Sequence, residues 1–228
     1  YTYAELDELI RKIASGMRNM GVQEGEAVCT RVGNYWMQLP WFLALMRIGA
    51  IFMSTSKYLT PAEVEYQLGQ ARPRLIIGEG GVSFDDVIAA ASDDPVVPYA
   101  NEWGASHIRF SSGTTGKPKM MLALQRANAA NAKAIEDVMQ IDEDDRHLLV
   151  GPLSHAGLHY ALPTLNAGGT VYMKEAFDKE TFWADCSKYG ITSSMVVPTM
   201  IATALGYEGD APTLAKVVSL GASLAPAL

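Results

Sequence analysis

Phe110-Ser111-Ser112-Gly113-Thr114-Thr115-Gly116-Lys117-Pro118-Lys119 sets four hydroxyls, two glycines and two lysines behind a short apolar run, residues 108–110, that Arg109 interrupts. Glycines let backbone N–H groups approach an anion, and hydroxyls and ammonium groups add donors and charge, so in chemical terms the stretch is a phosphate cradle. A Gly/Ser/Thr linker or a solvated loop has a similar composition, but apolar segments at 107–110 and 120–124 flank this one closely. It is not a Walker P-loop: G-x-x-x-x-G-K-[ST] needs Gly where Ser111 stands and a hydroxyl where Pro118 stands. The surrounding charge is one-sided. Residues 103–135 hold Arg109, Lys117, Lys119, Arg126 and Lys133 and no Asp or Glu, in a chain whose net charge is −7.

Working outward, strands and helices alternate on both sides of this stretch. Thr2 and Glu5 form a capping box ahead of Leu6, Leu9, Ile10, Ile13 and Met17 at helical spacing, with Gly21 as the stop. A strand is expected over 27–32 and a helix over 34–47, where Pro40 marks either a kink or the true start. A strand over 50–54 follows, then a helix opened by Thr60-Pro61-Ala62-Glu63, a strand over 74–77 and a helix capped by Ser83 with Asp86. Beyond the cradle, residues 125–139 favour a helix. Strands at 147–150, 170–173, 191–197 and 216–220 alternate with helices at 156–165, 178–189 and 198–205, the first of these broken or bent at Pro163. This alternation predicts an α/β fold with mostly parallel sheets flanked by helices. The Pro-, Asp- and Gly-bearing connection at 93–104 divides the chain into two expected lobes, about 1–100 and 101–228.

With 228 residues the chain can bury a sizeable core. It is 49% hydrophobic and only 19% charged, against about 25% charged in an average domain, so much of its surface is buried or awaits a partner. An acidic balance, with pI near 5.1, argues against nucleic-acid or anionic-membrane binding. The uncharged stretch at residues 32–46 is broken by Asn34, Gln38 and Pro40 and is too short to span a bilayer, which takes about 18 to 20 apolar residues. No transmembrane segment is expected. Cys29 and Cys186 form no metal or redox spacing and read as free thiols in a reducing compartment, hence a cytoplasmic location. Tyr1 is not a natural start, so the chain is read as a fragment.

Other motifs are weaker. Gly78-Glu79-Gly80-Gly81-Val82-Ser83 follows a strand and precedes a helix, but it lacks the third glycine of a dinucleotide fingerprint and is not in the first βα turn; a plain turn is favoured. His155 and His159 have a helical metal-ligand spacing, yet Ala156 stands where H-E-x-x-H needs glutamate, so no metal site is expected. Ser154 beside His155 has no G-x-S-x-G context for a hydrolase. His155 nevertheless lies shortly after a strand, where α/β sheets place ligands. Gly221-Ala222-Ser223 and Val197-Pro198-Thr199 also follow strands and read most simply as turns.

Together these pieces resemble the adenylate-forming superfamily of acyl-CoA synthetases, amino-acid adenylation domains and luciferases, across essentially the whole chain. Phe110 to Lys119 reproduces its signature, an aromatic, Ser/Thr-Ser-Gly-Thr-Thr-Gly, a variable residue and Pro-Lys-Gly, except that Met120 replaces the last glycine. The first six residues resemble the T-Y-x-E-L opening, and Gly49-Ala50 with Leu59-Thr60-Pro61 resembles its A-G-A and L-T-x-x-E stretches. Pro152-Leu153-Ser154-His155-Ala156-Gly157 resembles the P-L-x-H-x-x-G segment of acyl- and aryl-CoA ligases, shifted by one at the glycine. Ser219-Leu220-Gly221-Ala222-Ser223-Leu224 resembles S-G-G-A-P-L, departing at Leu220 and Ser223.

The resemblance implies the N-terminal part of the large domain of such an enzyme. Ser111, Ser112, Gly113, Thr114, Thr115, Gly116, Lys117 and Lys119 would hold the β- and γ-phosphates of ATP, His155 would border the acyl pocket, and Gly221 and Ala222 would pass beside adenine. The partners implied are a small carboxylic acid, ATP, Mg²⁺ and CoA, with oligomeric state left open. The reaction implied is acyl-adenylate formation and then a thioester. The magnesium-binding glutamate, ribose-binding aspartate, hinge and catalytic lysine would lie beyond Leu228, so residues 1–228 alone are expected to turn over little. Two other readings stay open: an adenylating enzyme with a non-CoA acceptor, and a non-catalytic nucleotide-binding or interaction protein.

Overall fold

The Thr2 capping box forms: Thr2 N–H donates to Glu5 Oε2 at 2.7 Å, the Thr2 hydroxyl accepts from Glu5 N–H, and α1 (Tyr3–Asn19) begins there. The structure is a computed structural model that describes residues 1–33, 36–56, 58–111, 118–153, 157–206 and 209–223. It comprises two compact units, residues 1–129 and 130–228.

In the first unit, β1 (Ala27–Arg31), β2 (Ile51–Ser54), β3 (Leu75–Gly78), β4 (Ala105–Ser111) and β5 (Lys119–Leu124) form a sheet ordered β3-β1-β2-β4-β5. The first four strands are parallel and β5 pairs antiparallel with β4. The connection at 93–104 therefore lies inside this unit instead of separating two lobes, because β4 hydrogen-bonds onto β2 and β5 onto β4, extending the first sheet. The division between units falls within α5 (Gln125–Met139).

The helix α2 (Gln38–Ile48) starts later than expected and has Pro40 in its first turn, where a missing N–H breaks no helical bond. Trp41, Phe42, Leu45 and Ile48 from α2, Ile13 and Met17 from α1, Phe52 and Met53 from β2, and Ile77 from β3 are among the large buried side chains of this unit's core. The helix α3 (Pro61–Ala71) carries the expected Thr60–Glu63 box with Pro61 at its start, and Ser83 caps α4 (Phe84–Ala89).

The second unit holds a wholly parallel sheet, ordered β7-β6-β8-β9, from β6 (Arg146–Leu149), β7 (Thr170–Met173), β8 (Ser193–Val196) and β9 (Lys216–Ser219). Alternate residues of β6 face opposite sides. Leu148 and Val150 join Phe182 and Cys186 of α7 (Phe182–Tyr189) and Ala204 of α8 (Pro198–Ala204) in one core, whereas His147 stacks on Tyr160 of α6 (Leu158–Asn166) with ring centroids 5.9 Å apart. The chain thus leaves β6 toward β7 over one face and leaves β8 toward β9 over the other, as right-handed crossovers in opposite directions require. Pro163 lies inside α6 without ending it. The segment 178–181 stays outside α7, with Asp178 Oδ1 accepting from Glu180 N–H.

Burial sets the chemistry of three side chains. Cys29 and Cys186 are free and buried, and burial pushes their thiols up to about 12 and about 11, so neither is a nucleophile at neutral pH. His147, 1% exposed, shares a 2.9 Å hydrogen bond between Nδ1 and Ser193 Oγ, and burial lowers its pKa to about 4, opposed weakly by Asp145. The unfolded chain takes up this proton near pH 6.5 and the folded chain does so only near 4. His147 therefore favours the folded state fully above pH 6.5, and that contribution disappears as pH falls toward 4. Between pH 7 and pH 5 the loss should be about 2 kcal/mol. Urea unfolding of the wild type and of His147→Gln at both pH values checks this, since the variant should lose that pH dependence.

Candidate nucleotide-binding site

The cradle joins two adjacent strands. β4 ends at Ser111 and β5 begins at Lys119, with Ser111 paired to Lys119 and Phe110 to Met120. Ser112, Gly113, Thr114, Thr115, Gly116 and Lys117 lie outside the described residues, and Ser111 and Lys119 flank them as two shoulders. Lys119 is exposed at the start of β5 and Ser111 is half-buried at the end of β4. Pro118 accepts a hydrogen bond on its carbonyl from the Tyr66 hydroxyl at 3.2 Å.

At the opposite end of the hairpin, buried polar groups fix the strands to α5. Asn128 Nδ2 donates to Ser106 Oγ at 2.8 Å, and that hydroxyl donates to the Ala123 carbonyl at 3.0 Å. His107 Nδ1 lies 3.1 Å from Ser106 Oγ, and its ring meets the edge of Phe42 at 5.9 Å between centroids. Burial lowers the pKa of Arg109, which stays protonated at neutral pH because guanidinium starts so high. The hairpin thus keeps positive charge close to the segment it carries.

The second unit offers a sheet edge of a different kind. Leu149 pairs with Met195 and Val196 with Ser219, so the carboxyl ends of β6, β8 and β9 lie side by side. Gly151-Pro152-Leu153, Val197-Pro198-Thr199 and Leu220-Gly221-Ala222 follow these three strands. Since the connections after β6 and β8 diverge to opposite faces, the place between them is a topological switch point, where open α/β sheets bind ligands outside the carboxyl ends of their strands. Gly221 takes φ +93°, a conformation that favours glycine, and Leu220 N–H donates to Val196 O at 3.3 Å. Ala222 is exposed. Ser154, His155 and Ala156 lie outside the described residues; they stand between the buried Leu153 and Gly157, whose N–H donates to Pro152 O at 3.2 Å.

The weaker sequence candidates resolve into structure. In the glycine-rich turn after β3, Gly78 N–H donates to Val82 O, Gly81 N–H to Gly78 O and Val82 N–H to Ile76 O, so most of the donors a phosphate would need are spent within the protein. A Cβ at Gly81 would sit 2.0 Å from Ile76 O, so close packing of backbone on backbone explains that glycine. His159 Nδ1 lies 2.6 Å from Asn131 Nδ2. Among the described residues, no group of three or more His, Cys, Asp or Glu is placed to hold a metal ion. No helix among them is long and apolar enough to cross a membrane.

The described residues thus form an α/β architecture, a mostly parallel sheet ending in a hairpin whose connection is rich in Ser, Thr, Gly and Lys, and a second, wholly parallel sheet. The family model of AMP-binding enzymes matches residues 1–228, and the chain belongs to that family. Its relatives include an indoleacetate–CoA ligase of Aromatoleum aromaticum, 27% identical over 99% of this chain and 51% of the relative. An oxalate–CoA ligase of Arabidopsis thaliana is 30% identical over 100% of this chain and 52% of the relative. The chain spans about half the length of the curated relatives it matches. In fold it is similar to the crystallised N-terminal domain of FACL13 from Mycobacterium tuberculosis, with a TM-score of 0.91 at 21% identity over 100% of this chain and 64% of that one.

Proposed function

We propose that the full-length protein is an acid–CoA ligase. A carboxylate oxygen attacks the α-phosphorus of ATP, the bond from that phosphorus to the bridging oxygen breaks, and pyrophosphate leaves with its electrons. The thiol of CoA then attacks the acyl carbonyl, the mixed anhydride opens to release AMP, and the thiol proton is lost to solvent. Ser111, Ser112, Gly113, Thr114, Thr115, Gly116, Lys117 and Lys119 hold the β- and γ-phosphates and neutralise the leaving pyrophosphate, which is what phosphoryl-type transfer asks of a protein. Gly221 and Ala222 border the adenine, and His155 borders the acyl pocket.

The observation that carries this reading is the hydroxyl- and lysine-rich segment held between the paired Ser111 and Lys119, in a chain of the AMP-binding family. The ligase names of the relatives supply the acceptor, CoA. Mg²⁺ would enter bound to ATP. Two buried thiols suit a reducing compartment such as the cytoplasm.

The test is carboxylate-dependent exchange of labelled pyrophosphate into ATP by the full-length protein over a panel of aromatic, dicarboxylic and aliphatic acids. The best acid is then assayed for thioester formation with CoA. Exchange with at least one acid and a CoA thioester from it are the expected results. Failure with every acid overturns the reading, whereas exchange without thioester transfers it to an adenylating enzyme with another acceptor.

A further inference from the structure

We propose that Tyr66 is a positioning residue for the phosphate-binding segment, acting through the Pro118 carbonyl. The inference rests on the cradle reading above. Tyr66 lies 52 residues before Pro118 and its hydroxyl donates to Pro118 O at 3.2 Å. That oxygen shares a peptide plane with the N–H of Lys119, so holding one fixes the direction of the other and of the chain entering β5.

Two features make this bond matter. The first residues of β5, Lys119, Met120, Met121 and Leu122, are all exposed on the edge strand of the sheet, so burial restrains this shoulder weakly. The helix bearing Tyr66, by contrast, is firmly placed. Glu63 Oε2 accepts from Thr60 N–H and from the Thr60 hydroxyl, both at 2.8 Å, and Pro61 opens the helix. Leu68 and Ala71 pack against the buried cluster of Ala27, Cys29, Ile51, Met53 and Ile108, and Phe110 packs on the same cluster. One rigid helix therefore shares a core with the incoming shoulder, next to Ser111, and hydrogen-bonds the outgoing shoulder, next to Lys119. Tyr66 sets where the segment's second lysine stands relative to its first hydroxyl.

The test is Tyr66→Phe in the full-length protein, which removes one oxygen and keeps the ring. The readouts are KM for ATP in pyrophosphate exchange, Kd for AMP, which lacks the β- and γ-phosphates, and Tm. The expected result is a rise of about 3- to 10-fold in KM for ATP, the fold-change that one net hydrogen bond is worth, with Kd for AMP and Tm unchanged. An unchanged KM overturns the proposal. So does equal weakening of ATP and AMP with a lowered Tm, because that is what a purely structural role produces. Thr114→Ala, measured in parallel, separates the two levels: if it leaves KM for ATP unchanged, the cradle reading fails and the proposal with it. If it raises KM while Tyr66→Phe does not, only the role of Tyr66 fails.

Discussion

Replacing Thr114 or Lys119 by Ala in the full-length protein lowers carboxylate-dependent pyrophosphate exchange by about 100-fold or more, the size of effect seen when one preorganised donor to a developing anion is removed. Lys119 is the cation at the described edge of the cradle, exposed and paired through its backbone with Ser111. Because the residue is exposed, its replacement removes no buried side chain. The loss should therefore appear in exchange rates while Tm stays within a degree or two of wild type. Unchanged exchange in both variants would remove the segment from the chemistry.

Asp145→Ala lowers stability by about 1 to 3 kcal/mol, less than the cost of breaking a fully buried pair because the Lys216 side chain is 27% exposed and also donates to Gln140 O. The Asp145 side chain is only 4% exposed, and the Lys216 ammonium lies 2.6 Å from its Oδ2. The Thr192 hydroxyl and the Asp142 N–H also donate to it. Burial raises the Asp145 pKa, but the hydrogen bonds from Lys216, Thr192 and Asp142 outweigh it and leave the carboxyl below its ordinary value. A depressed carboxyl stabilises the fold above its unfolded value near 4 and loses that contribution only as pH falls below it, whereas the His147 contribution is lost between pH 6.5 and 4. Guanidinium unfolding at pH 7 checks the size, and the double variant Asp145→Leu/Lys216→Met should recover part of it, because no buried charge is then left unpaired. A loss under 1 kcal/mol in Asp145→Ala would show that the network is dispensable.

Local rules were the most legible part of the fold. The capping boxes at Thr2, Thr60 and Ser83 all form, since each depends on a side chain and a backbone three residues apart. Helix α5 spans the expected residues, and β7 does too. Less legible were features that depend on distant neighbours. The division between units was expected near residue 100 and falls at 129, since the pairing of β4 with β2 is a long-range choice that composition at 93–104 does not record. Helix α7 begins at Phe182, later than expected, because the Asp178 side chain caps a separate turn.

The candidate site divides in the same way. The chemistry of residues 110–119 is written in the sequence, because hydroxyls, glycines and lysines keep their character wherever the chain goes. So is the membership of the chain in the AMP-binding family, through motifs that are contiguous. Tyr66 had no such mark: a tyrosine on an amphipathic helix reads as packing, and its partner is 52 residues away. The glycine-rich turn at 78–83 gave the opposite lesson, since only the folded backbone shows most of its N–H groups already occupied. The sequence by itself determined which groups can meet an anion. The tertiary structure decided which strands flank those groups and which distant side chain bonds the Pro118 carbonyl beside them, because hydrogen bonds and packing are satisfied between residues far apart in the chain.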